Sequence, residues 1–125
     1  MSDRQDLQIV LAGGGARFQE FEAALKKKNA VLHRDESGEA VLQRVSTDSI
    51  QIVAVDQQLA DMGGLDLVVR IAQQYPFVNT ALVSTSSEND FHEKTEGLGV
   101  LMQLPSPPDG ESAEKLIAHY HVIWG

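Results

Sequence analysis

The stretch "IQIVAVDQQLADMGGLDLVVRI", residues 50–71, sets an unbroken apolar run directly before one aspartate, Asp56. A run that is apolar throughout, rather than alternating, reads as a strand buried on both faces, "IQIVAV" (50–55). The Gly-Gly pair breaks the chain, and Leu65, Val68, Val69 and Ala72 then recur at helical spacing. Strand, polar turn and amphipathic helix in that order make one β–α unit of a parallel sheet.

Working outward, the same unit recurs. "LQIVLA" (7–12) is an apolar strand ended by three glycines, and Phe18, Phe21, Ala24 and Leu25 form the stripe of a following helix. "AVLHR" (30–34) is a short second strand, followed by a helix over 37–49 with Val41, Leu42 and Val45 on one face. Pro76 breaks the chain before a fourth strand, "FVNTALVS" (77–84). Thr85 to Glu88 has the capping-box pattern that opens a helix, with Phe91, Thr95 and Leu98 on its face. "GVLMQL" (99–104) is a fifth strand closed by Pro105, and Leu116, Ile117 and Tyr120 mark a last helix. No linker or repeat divides the pattern, so residues 1–125 form one doubly wound α/β domain. In such sheets function gathers at the carboxyl ends of the strands. Those ends are Ala12–Gly15, Asp56–Gln58, Ser84–Ser86 and Leu104–Pro105.

Composition narrows the function classes. At 125 residues, 42% hydrophobic and 22% charged, the chain can bury a core without staples. Zero cysteines exclude disulfides and thiolate metal sites and fit a reducing compartment. No apolar run approaches the roughly 18 residues of a membrane span. "MSDRQDLQ" is too polar for a secretory signal. The expected location is therefore the cytoplasm, with no membrane contact. Ten basic against eighteen acidic residues give a net charge of −8, which argues against nucleic acid as a partner. Lys26, Lys27 and Lys28 are the one basic cluster and read as a solvated helix end.

These residues together resemble the receiver domain of bacterial two-component response regulators, the chemotaxis-protein type, over essentially the whole chain. "VAVDQQLADMGGLDLVVRI" resembles the family's strand, phosphoacceptor aspartate, loop and Met-x-Gly-Leu helix entry. "ALVST" resembles the fourth strand, and "GLGVLMQLPSPP" the fifth strand with its closing lysine-proline. The resemblance implies a flavodoxin-like five-stranded parallel sheet of order 2-1-3-4-5, with two helices on one face and three on the other. It also implies that Asp56 is the phosphoacceptor position, Ser84 the hydroxyl switch and the Gln58 carbonyl a metal ligand. Further, it implies a cis bond at Leu104–Pro105, and a working surface on the fourth helix, fifth strand and fifth helix.

Several positions depart from the family. Its two metal-holding acidic residues fall on Ala12 and Gly13, its lysine on Leu104, its loop proline on Ala60 and its aromatic switch on Leu101. Phosphoryl transfer to a carboxylate brings anions together, so a site must supply positive charge and an in-line geometry. Mg²⁺ wants octahedral oxygen coordination with carboxylates among the ligands. Ala12 and Gly13 offer no side-chain oxygen, and Leu104 removes the fixed cation. Mg²⁺ binding is therefore expected to be weak or absent, no cofactor is expected, and Asp56 is expected to be chemically idle. A strand-end carboxylate that accepts backbone hydrogen bonds in its own turn is the plain alternative for Asp56.

Other candidates are weaker. "AGGGAR" (12–17) could present Gly13, Gly14, Gly15 and Arg17 to a small anion or nucleotide, yet it matches neither common phosphate-loop pattern. His33, His92, His119 and His121 lack chelating spacing. Ser84 has no evident base, so the chain is not expected to be an enzyme. Tyr120, Ile123 and Trp124 either close the last helix onto the sheet or extend a patch used for a homodimer or a partner.

The leading expectation is a stand-alone receiver-like module that works by contact with a protein partner, a histidine kinase or another signalling protein, without phosphorylation. The second is a response regulator still phosphorylated on Asp56 by a histidine kinase. A lysine or arginine reaching Asp56 from elsewhere would favour the second, and an ordered anion against Gly13–Gly15 would favour anion binding.

Overall fold

The computed structural model describes residues 7–125. Five strands, β1 (Gln8–Ala12), β2 (Val31–Asp35), β3 (Ile52–Val55), β4 (Asn79–Val83) and β5 (Val100–Leu104), pair in parallel in the order β2-β1-β3-β4-β5. Five helices connect and close them: α1 (Gln19–Lys27), α2 (Gly38–Thr47), α3 (Gly64–Gln74), α4 (Glu88–Thr95) and α5 (Gly110–Trp124). This is the flavodoxin-like sheet and strand order the sequence implies.

The period-two geometry of a strand divides its apolar residues between two cores. From β1, Ile9 and Leu11 face one side, where Phe21 and Leu25 of α1 and Leu116 and Ile117 of α5 cover them. Val10 and Ala12 face the other, under Val41, Leu42 and Val45 of α2, Leu67, Val68 and Ile71 of α3 and Phe91 of α4. Continuous apolar strands thus supply both layers, with two helices on one face and three on the other.

Local chemistry moves several boundaries. A short 3-10 turn, Gly15–Phe18, precedes α1, so Phe18 packs edge-on against Phe21 from outside the α-helix. The fourth strand begins at Asn79 rather than 77 because Tyr75 accepts the Val78 N–H in a turn after Pro76. The cap of α4 is Ser87, whose side chain accepts the Asp90 N–H, and not Thr85. The cis peptide bond is Ser106–Pro107, which corrects the expectation of a cis Leu104–Pro105. Ile123 and Trp124 do not close the last helix: both stay more than half exposed, and only Tyr120 packs against the core.

A capping box fixes the start of α5. The Asp109 carboxylate accepts the Ser112 N–H at 2.8 Å, and the Ser112 hydroxyl accepts the Asp109 N–H at 3.1 Å. The Ser112 N–H is the main cause holding the Asp109 carboxyl below its ordinary pKa. A carboxyl lowered in the folded state adds stability above its unfolded pKa, and that stability goes as pH falls through the lowered value. Asp109→Ala is therefore expected to cost about 1 kcal/mol at neutral pH, and urea titrations at several pH values should show this cost fading below about pH 4.

Candidate functional site

Asp56 follows β3 at the carboxyl end of the sheet and is buried, with 7% of its side chain exposed. Its backbone N–H continues the ladder to the Ala12 carbonyl. Oδ1 accepts the Gln57 N–H at 2.8 Å, the turn-type hydrogen bond of a strand-end carboxylate. Oδ2 accepts from Arg17 Nε at 2.8 Å. The other end of that guanidinium donates from Nη2 to the Ser106 hydroxyl at 2.8 Å. One arginine thus ties together the β1–α1 turn, the end of β3 and the loop after β5. Arg17 is thus the arginine reaching Asp56 from elsewhere that the second expectation calls for, and it comes from a position the family resemblance does not assign to it.

The loop after Asp56 folds back tightly. Gly64 donates its N–H to the Gln57 carbonyl, and a Cβ at Gly64 would stand 2.1 Å from the Asp56 carbonyl oxygen. Glycine at position 64 is therefore a condition of the loop's closure. Gln58 pairs with Gly63 across the loop, and its side-chain amide donates to the Leu59 and Met62 carbonyls. Asp61, from the same loop, accepts the Gly38 and Glu39 N–H groups at the start of α2. The Gly38 N–H is the main cause holding its carboxyl below the ordinary value.

The two positions that the resemblance assigns to an acidic pair hold small residues in close quarters. Ala12 is fully buried in the core beneath α2 and α3. Gly13 has φ of 143°, and a Cβ built on it would lie 2.8 Å from the Asp56 Cβ. No side chain fits there, and the backbone conformation resists one. Leu104 is fully buried with Phe18, Phe21 and Leu116, so its apolar side chain belongs to the core. A metal-ligating set does not assemble: among the described residues no group of three or more His, Asp or Glu could hold an ion. The residues present do not fit a Mg²⁺ centre.

Ser84 lies after β4 with its hydroxyl accepting the Ser86 N–H at 3.1 Å, within its own loop. Gln103 of β5 clamps that loop, donating its side-chain amide to the carbonyls of Ser84 at 3.0 Å and Ser86 at 2.9 Å. Neither Gln103 nor Ser106 is identifiable from the sequence as part of the site. The placement of Gln103 depends on the β4–β5 register, which shifts between Thr80 and Ala81.

The glycine loop is poorly placed for an anion. The Gly13 N–H donates to the Asp35 carbonyl, and Arg17 is engaged by Asp56 and Ser106. A Cβ at Gly14 would meet the Glu36 carboxylate at 3.3 Å, so a second negative group borders the loop. His33 stands between the Gln8 side chain and Arg44 and has no metal-ligating neighbours.

With this geometry in place, comparison with known proteins locates the fold. No protein-family model matches the chain. A curated relative, the DNA-binding transcriptional regulator NtrC of Proteus hauseri, is 25% identical over 104 residues. That match covers 80% of this chain and 22% of the relative, so the chain spans under a quarter of that protein's length. Solved structures of receiver domains superpose over nearly the whole chain. The signal receiver domain of an HD domain-containing protein from Pseudomonas fluorescens gives a TM-score of 0.78 at 21% identity, covering 98% of this chain and 94% of that one. The chemotaxis response regulator CheY4 of Vibrio cholerae gives 0.80 at 14% identity, covering 93% and 99%. The structural neighbours are response-regulator receiver domains, and this chain has their fold.

Removing Arg17 leaves a buried carboxylate with one backbone donor. Arg17→Ala is expected to cost about 1–2 kcal/mol, the lower part of the range for a buried group losing its partner because the guanidinium is 43% exposed. A double-mutant cycle with Asp56→Ala, read by urea denaturation, should give a coupling of about the same size.

Proposed function

We propose that the chain is a receiver-type signalling domain that acts by contact with a protein partner and does not require phosphorylation of Asp56. The observation that carries this reading is the closure at Gly13. Its backbone approaches the Asp56 Cβ so closely that a metal-binding side chain has no place to stand. Loss of the acidic pair is then a rebuilt pocket rather than two exchanged side chains. Asp56 in turn has both oxygens engaged, one by the Gln57 N–H and one by Arg17. An incoming phosphoryl group would meet a carboxylate already neutralised, beside Ala12, Gly13 and the buried Leu104, none of which could stabilise developing charge.

The contact surface consistent with the family resemblance is α4, β5 and α5. A cavity of about 400 Å³ opens there, lined by Phe91, Val100, Met102, Gln103 and His119 among others. Gln103 joins that surface to the loop after β4, so the surface and the Asp56 end are physically continuous. The partner class is a signalling protein, and the likeness to a transcriptional regulator supports a place within a regulatory system. Among the described residues no helix is long and apolar enough to cross a membrane.

Arg17 itself favours a second reading. An arginine at Asp56 is the cation that a response regulator phosphorylated by a histidine kinase would need once its lysine is gone. It supplies one positive charge where the chemistry calls for a divalent ion as well, so it meets half of that need. Losing an electrostatic partner of this kind typically costs roughly a hundredfold or more in rate.

The two readings separate in one experiment. Incubated with Mg²⁺ and acetyl phosphate, the protein is expected to show no phosphate adduct by intact-mass spectrometry. Asp56→Asn is expected to keep the fold and partner binding. An adduct that disappears in Asp56→Asn would replace the first reading with the second. In a companion test, Gly13→Asp is expected to lower the melting temperature without conferring Mg²⁺ binding in titration calorimetry.

A further inference from the structure

The two edges of the sheet are protected differently. β2 forms one edge and β5 the other. An edge strand leaves backbone groups unpaired and invites another chain, and charged side chains normally discourage that. β2 carries Arg34 and Asp35. β5, Val-Leu-Met-Gln-Leu, has neither a charge nor a proline. Its Val100, Leu101 and Met102 are only half-buried.

Two hollows follow this edge. The cavity of about 400 Å³ runs along Leu101 and Met102 between Phe91 of α4 and His119 of α5. A second, of about 530 Å³, continues from it past His92, Thr95 and Val100, which border both, to Gly97 and Gly99. Each lies within the roughly 300–1,000 Å³ typical of ligand pockets.

Charge selects what fits them. The carboxylates bordering the hollows are Glu88, Glu93 and Glu96, and no lysine or arginine borders either one. The single lysine of α4, Lys94, lines the space beside Ser84 and Ser86 instead and donates to the Ser86 hydroxyl at 3.4 Å. The single lysine of α5, Lys115, is engaged by Glu111 at 3.4 Å. Elsewhere Glu22, Asp35, Glu39 and Asp56 each meet an arginine. Among the described residues Glu93 and Glu96 meet no cation, and Glu88 approaches only His92, at 4.0 Å. From Glu88 to Gly125 the chain has seven acidic residues and two lysines, so more than half of its −8 lies in the elements that build this surface.

We propose that the groove between α4 and α5 along β5 receives a basic, apolar segment of a partner protein, with lysines or arginines flanking apolar side chains. The proposal rests on the reading of this surface as the contact surface and adds the chemistry of its occupant. Nucleic acid and anionic lipid would be repelled by the unpaired carboxylates. A two-fold contact between copies would set the same carboxylates against each other.

The probe is a fluorescein-labelled synthetic peptide in which lysines alternate with leucines. In fluorescence anisotropy at physiological salt it should bind the wild-type chain one to one. A counterpart with glutamates for the lysines should not bind, and one with serines for the leucines should bind at least about tenfold more weakly. Glu93→Lys with Glu96→Lys changes two exposed positions at the end of α4, where cations suit the helix dipole. That variant should keep the circular dichroism spectrum and weaken binding at least about tenfold. Glu20→Lys with Glu36→Lys alters the net charge equally at exposed positions elsewhere and should weaken binding less than about twofold. Peptide-induced NMR shifts should centre on Val100 to Gln103. Equal losses in the two double variants, shifts centred away from β5, or binding of the glutamate peptide would overturn the proposal. The last of these would leave the contact surface itself standing. Sedimentation velocity showing open chains of the protein that Glu93→Lys with Glu96→Lys dissolves would overturn it too, since the occupant would then be a second copy. Binding of the lysine peptide only after treatment with Mg²⁺ and acetyl phosphate would sustain the basic occupant and overturn phosphate-independent action.

Discussion

The hydrogen-bonded ion pair between Arg17 and Asp56 is the constraint on which the upper end of the sheet depends. A carboxylate at the end of a central strand, buried beneath its own loop, needs a partner of opposite charge or enough donors to replace water. Asp56 has one backbone donor, and the guanidinium supplies the rest. To reach it, the chain leaves β1 through Gly13 in a conformation that favours glycine and runs a 3-10 turn before α1 begins. That turn sets the place of Phe18, whose ring joins Phe21 and Leu104 in the core below. One electrostatic contact is thereby coupled to the packing of a whole face.

The same contact organises the loops. The Ser106 hydroxyl holds the far side of the guanidinium, so the segment between β5 and α5 is tied to the β1–α1 turn. Gln103, one strand position before Leu104, holds the loop after β4. The β3–α3 loop is held separately, through its own Asp61, which accepts the Gly38 and Glu39 N–H groups at the start of α2. These loops are thus each tied to another element through a side chain, which suits a surface that presents one shape to a partner. A phosphorylation switch needs a loop with two arrangements of similar free energy, and fewer such tethers.

The fold was legible because its signals are local and repeated. Ile9 to Ala12 and Ile52 to Val55 are apolar at every position, which only a sheet covered on both faces explains. The stripes of α1, α2, α3 and α5 follow helical spacing closely enough to identify the buried side chains. Boundaries were less legible where two residues compete for one role: Thr85 and Ser87 both precede α4, and only Ser87 has the geometry to accept from the third residue on. The prolines after β5 posed the same difficulty, and the cis bond falls on Pro107 rather than Pro105. At the site, sequence could name the positions where the resemblance expects an oxygen or a charge and the chain has none. It could not name what replaced them. Arg17 is distant from Asp56 in the chain, and only the turn at Gly15–Phe18 aims it inward.

Charge balance accounts for the single cation that the pocket holds. The resemblance implies an ancestral pocket of three carboxylates, a divalent ion and a lysine, whose charges cancel. Removing the lysine alone would leave an excess of negative charge, whereas removing the acidic pair takes the divalent ion with it and leaves one carboxylate that needs one cation. Here one carboxylate faces one guanidinium, and the charges cancel again with no metal. Three clustered carboxylates repel one another whenever their ion is absent, which raises the free energy of the empty pocket. A single carboxylate paired with one guanidinium carries no such repulsion. What it loses is the capacity to gain charge. A phosphoryl group added to Asp56 would leave negative charge that one partly exposed arginine only partly offsets. A pocket arranged in this way keeps its one carboxylate paired, which supports the proposed reading of a surface that is constant rather than switched.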